Sequence, residues 1–171
     1  MTRPARAAIV IGLAAWTLWF ARTPLSDDAM SSFLHLPDLV FHEAGHVLFS
    51  PFGRFMTVLG GSLTQVMIPV IVVVAFIRQD EPFSAAICGW WAGQNLVDVA
   101  PYIADARALQ LVLLGGHTGA EVEGHDWEFI LLQLGLKPWD HAFGMGAYAC
   151  GILIMVASLA IATRDILRHS E

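Results

Sequence analysis

His42-Glu43-Ala44-Gly45-His46 sets two imidazoles four residues apart, with a carboxylate between them, in an otherwise apolar stretch. On an α-helix that spacing stacks both rings on one face, so both can reach a single Zn²⁺, while Glu43, one position round the helix, can take a proton from water beside the metal. This is the pattern of a zinc hydrolase. Two imidazoles and a carboxylate are costly to hold in apolar surroundings without a bound partner, which weighs against a purely structural pair.

A catalytic zinc site usually has three protein ligands and one position open to water, so His42 and His46 require a third His, Asp or Glu. The candidates are Asp105, at the end of a later apolar segment, Asp98, two turns earlier, and the adjacent pair His125 and Asp126; His117 lies in the same polar loop. Each has a simpler use: Asp105 could pair with Arg78 or Arg107, Asp98 could be satisfied by Gln94, Asn95 or Tyr102, and Asp126 could cap a helix starting at Trp127 while His125 binds. Asp38, four residues before His42, suits a carboxylate that orients an imidazole better than a ligand, because three successive turns of a straight helix diverge from one point.

The elements that must position these residues belong in a bilayer. The chain has 171 residues, of which 56% are hydrophobic and only 14% charged, and its mean hydropathy is +0.61. Such a composition is too apolar for an ordinary soluble domain. The length suits a single membrane-embedded domain over 1–171. The net charge of −6 comes largely from connectors, including Asp27, Asp28, Asp80, Glu81, Glu121 and Glu123. Nothing resembles a nucleic-acid footprint, and no nucleic-acid partner is expected. Cys88 and Cys150 show no metal or disulfide spacing and read as core residues.

Apolar runs predict an all-α polytopic membrane protein of four to five transmembrane helices, with the zinc motif on the second. The runs are 5–21, 33–52, 60–77, 83–103 and 141–163, the third opened by Gly60-Gly61 and the last followed by Arg164, Arg168 and His169. Residues 104–140 hold a short apolar run at 109–114, a Gly/His/Glu loop and an amphipathic stretch at 127–136. The first run has the charged start and apolar middle of a signal peptide, but Trp16, Trp19 and Phe20, without a clear small-residue cleavage site after them, favour the expectation of a retained helix over a removed signal. Arg3 and Arg6 lean the N-terminus toward the cytoplasm.

An apolar helix with His-Glu-Ala-Gly-His, a following Gly-Gly segment and a later membrane helix carrying an Asp resembles the site-2 protease family of intramembrane zinc metallopeptidases. The resemblance covers about residues 38–105. It implies His42 and His46 as ligands, Glu43 as catalytic base, Asp105 as third ligand, and Gly60 to Gln65 as a segment that holds an extended substrate. In place of the family's Asn-Pro…Asp-Gly arrangement the chain has Asn95-Leu96-Val97-Asp98, then Pro101 and Asp105-Ala106. The expected function is therefore a zinc metallopeptidase acting on a membrane protein or peptide, in a bacterial inner (plasma) membrane. The alternatives are a membrane zinc hydrolase of lipids or small amides and esters, and a non-catalytic zinc-binding membrane protein.

Overall fold

The computed structural model describes residues 1–26 and 30–168; Asp27 and Asp28 of the first connector and His169 lie outside them. The described chain is built from six α-helices, α1 Arg3–Phe20, α2 His35–Phe49, α3 Arg54–Arg78, α4 Pro82–Ala104, α5 Asp126–Gln133 and α6 Asp140–Arg168. Among the described residues there is no named strand, only an isolated bridge between Val112 and Thr118. The all-α class and the order of the elements follow the sequence reading. Arg54–Arg78 and the run Lys137–Arg168 are long and apolar enough to cross a membrane.

Proline and glycine mark the start of α4 and the turn between α2 and α3, whereas Pro69 and Pro101 lie inside α3 and α4. Pro82 occupies the first turn of α4, where a missing N–H costs nothing. Between α2 and α3, Pro51 sits in a single 3₁₀ turn and Gly53 follows at φ +89°, a conformation that L side chains avoid. This tight reversal folds α3 back along α2.

One expectation is corrected here. Gly60-Gly61 does not open the third helix, which starts six residues earlier at Arg54; both glycines sit inside α3, at its crossing with α2. A Cβ on Gly60 would lie 2.7 Å from the Gly45 carbonyl oxygen, and one on Gly45 would run into the Gly60 carbonyl. The helices thus meet backbone to backbone, the close approach that small residues permit.

A second small-residue seam joins α4 to α6. Gly93 and Gly151 each face the other's carbonyl, and Gly144 abuts Ala100 and Ala104. Around this pair, Phe20, Trp90, Val97 and Met155 form a buried cluster against which Trp16 packs. Trp90 Nε1–H donates to Thr17 Oγ1 at 2.8 Å, and Arg6 pairs with Asp165 at 2.9 Å, so α1 is tied to both. Helix α4 is buried on most of its surface, which explains its unusual load of Gln94, Asn95 and Asp98: these face protein, not lipid.

The two seams predict distinct outcomes for glycine substitutions. Gly45→Ala and Gly60→Ala force two backbones apart and should destabilise the solubilised protein by about 1–3 kcal/mol or more, read as a lower melting temperature. Gly146→Ala adds a Cβ that meets nothing within 4 Å and should be neutral or slightly stabilising. Equal melting of all three would show that the crossing is not tight.

Candidate metal centre

His42 and His46 do stack on one face of α2, with ring centroids 4.8 Å apart. What holds them is the facing helix. Thr57, Gly61 and Gln65 recur every four residues on α3 and present one stripe to the two rings. Gly61 lies between the rings, where an added Cβ would come within 2.6 Å of His42 Nε2 and of His46 Cε1. On either side, His46 Nδ1–H donates to the Thr57 carbonyl at 2.8 Å, and His42 Nδ1 is 3.0 Å from Gln65 Oε1. Both Nδ1 atoms are thereby occupied, which leaves both Nε2 atoms as the free ends.

Those free ends meet Asp126. Its Oδ2 lies 2.9 Å from His42 Nε2 and 3.3 Å from His46 Nε2. The ligand atoms of His42, His46 and Asp126 all fall within 4.8 Å of one another, so this group could hold a metal ion. The donor set passes a chemical test. A ring with its proton on Nδ1 has a lone pair on Nε2, and two such lone pairs directed at one carboxylate oxygen repel unless a proton or a cation lies between them. Two imidazole nitrogens and one carboxylate oxygen also make a common ligand set for zinc and similar divalent ions. Burial pushes the Asp126 carboxyl up, but its contacts with the two imidazoles overcome that and hold it below the usual carboxylate range.

Asp126 reaches the rings because α5 is anchored at its first turn. Its backbone N–H donates to Tyr102 Oη on α4 at 2.8 Å, and Trp127 Nε1–H donates to Ser62 Oγ on α3 at 3.1 Å. The expected roles of the adjacent pair are exchanged. His125, not Asp126, is the N-cap, its Nδ1 accepting Glu128 N–H at 3.1 Å. Burial holds the His125 pKa below that of an ordinary histidine, which favours the neutral ring that this acceptor role needs.

Asp105, the third ligand implied by the resemblance, is not in the group. It is buried at the C-terminal end of α4, where its two oxygens accept Gln110 N–H at 2.9 Å and Leu111 N–H at 3.0 Å. The second of these oxygens lies 3.3 Å from His125 Nε2. Arg107 pairs instead with Asp140, at 2.7 Å. Asp105 therefore organises the loop that leads to the site. Asp98 is likewise outside the group, between His35 and Gln65. Asp38 is fully buried and accepts Trp91 Nε1–H at 2.8 Å rather than orienting His42. His117 is exposed beside Glu121.

A cavity of about 430 Å³ opens onto His42, His46 and Asp126. Glu43, solvent-exposed on α2, lines the same cavity, and Leu39, Val112, Leu114 and Val122 form an apolar wall. Comparison with protein-family models, curated proteins and solved structures returned no match for the chain.

Metal content separates ligands from supports. The purified chain should hold about one divalent ion, and His42→Ala, His46→Ala and Asp126→Ala should each lose most of it. Asp105→Ala should cost no more than about 10- to 100-fold in affinity, through the loop alone. If Asp105→Ala empties the site while Asp126→Ala retains metal, the assignment of Asp126 is wrong.

Proposed function

We propose that the protein is a membrane-embedded zinc metallopeptidase, with His42, His46 and Asp126 holding the metal and Glu43 as the general base. The observation that carries this reading is the union, in one cavity, of three residues that could hold a metal ion and a glutamate outside that group. A closed structural site would surround its metal with four protein ligands, whereas three leave a side for water and substrate. Zinc held there would polarise a substrate carbonyl and acidify water beside it. Glu43 would take the water's proton and return it to the leaving amine, so that no covalent intermediate with the protein forms. The apolar wall would seat side chains of the substrate next to the scissile bond.

In this proposal the likeness to site-2 proteases lies in the helix-borne motif, and the third ligand comes from a loop and short helix beyond α4. We also propose that α1 and α2 join α3 and α6 in the bilayer. Large apolar side chains such as Ile11, Leu18, Val40, Val47 and Leu48 are exposed along them, which an aqueous surface would penalise. A bacterial inner membrane would suit such a protein. The apolar wall also favours a second reading, hydrolysis of a lipid ester or amide, since metal, water and Glu43 would serve that bond equally well.

Glu43→Gln separates chemistry from binding. It should retain zinc and fold, and lower hydrolysis of the cleaved substrate by at least about 100-fold, the scale of a general base. Assaying membrane peptides and lipid esters side by side distinguishes the two readings, and wild-type turnover by Glu43→Gln would remove Glu43 from the mechanism.

A further inference from the structure

Resting on the metal site proposed above, we infer that Asp98 and Gln65 are positioning residues that set the tautomer of His42 and so decide whether it can bind metal. The two metal histidines are anchored differently. His46 donates to a backbone carbonyl, which accepts and cannot reverse its role. His42 faces the side-chain amide of Gln65, and an amide can present either its oxygen or its NH₂ group.

Asp98 removes that ambiguity. Gln65 Nε2–H donates to Asp98 Oδ2 at 2.9 Å, and a carboxylate can only accept. The amide nitrogen is therefore directed at α4, and Oε1 must face His42 Nδ1. The ring then carries its proton on Nδ1 and offers the Nε2 lone pair toward Asp126. On the far side His35 Nδ1 lies 3.1 and 3.0 Å from the two Asp98 oxygens, which holds the carboxylate in place. Gln65 and Asp98 line the inner side of the cavity and are only 3% and 2% exposed, so these bonds are largely shielded from water.

Without Asp98 the Gln65 amide is free to turn over. Its NH₂ would then donate to His42 Nδ1, moving the ring proton to Nε2, the nitrogen that must be free for metal. The relay thus runs across three helices, from Asp98 on α4 through Gln65 on α3 to His42 on α2.

The test measures Zn²⁺ affinity of the full chain in detergent by competition with a chromophoric chelator, alongside melting temperature. Asp98→Asn and Gln65→Leu should each weaken Zn²⁺ binding about 10- to 100-fold. The double variant Gln65→Glu/Asp98→Asn restores a fixed acceptor facing His42 and a donor behind it, and should bind within a few-fold of wild type. A merely structural loss would not be rescued by that exchange. If Asp98→Asn fails to fold, Gln65→Leu and the double variant still decide. Wild-type affinity in a folded Gln65→Leu chain, or a double variant as weak as Gln65→Leu, overturns the relay. Failure of the metal site itself reads differently, as a wild-type chain that binds no Zn²⁺ or a His42→Ala chain that binds as well as wild type.

Discussion

The contact between the α2 and α3 backbones at Gly45, Gly60 and Gly61 is the constraint on which the rest of the site depends. With no Cβ on either side, α3 comes close enough for Thr57 and Gln65 to take the two Nδ1 atoms, and Gly61 leaves room for the rings themselves. A periodicity of four on α2 meets a periodicity of four on α3, antiparallel, so His46 pairs with the earlier residue and His42 with the later one. A side chain at the crossing would have to push the helices apart, the change that would strain the contacts of both imidazoles with α3. Gly45, between His42 and His46, is therefore a packing residue that decides how the two imidazoles are held.

Helix α4 carries the polar groups that make the site possible, and it can do so because other helices cover it. Asp98, Gln94 and Asn95 are buried against protein, and burying a charge is costly without partners close by. Asp98 is the clearest case, held by His35 and by Gln65. The tight seam with α6, made by facing glycines and alanines, fixes α4 as the rigid element against which Tyr102 and the start of α5 are placed.

The non-helical stretch between α4 and α5 is tied down by charge and hydrogen bonding rather than by a core of its own. Asp105 accepts two backbone N–H groups and lies against His125, and Arg107 reaches Asp140 at the start of α6. His125 in turn caps α5, so the line of contacts from Asp105 ends one residue short of the carboxylate that meets the two histidines. Asp105 and Asp126 thus belong to one assembly, the first shaping the approach and the second facing the rings. The same stretch supplies Val112, Leu114 and Val122 to the cavity wall, which places apolar contact beside the polar centre.

Local periodicity was sufficient for the helices and for the first half of the site. Apolar runs locate α1, α2 and α4 to within a few residues, but α6 continues five residues past the run that ends at 163, and α3 starts six residues before Gly60, because Gly60-Gly61 carries the same local signature in a turn as in a helix crossing; only a neighbouring backbone distinguishes them. The pairing of His42 with His46 and the position of Glu43 were legible because three residues on one helix are related by its geometry alone. The third member was not, since Asp98, Asp105, His125 and Asp126 are all plausible by residue type and their distance from α2 depends on the path of a loop that no repeat encodes. Even between the adjacent His125 and Asp126, either could cap α5 or face the two histidines. The extended backbone of His125, at φ −76° and ψ 105°, turns its ring onto Glu128 N–H and leaves Asp126 to point at α2. The every-fourth spacing of Thr57, Gly61 and Gln65 was present in the sequence as well, but it acquires meaning only when α3 is folded against the two histidines it serves.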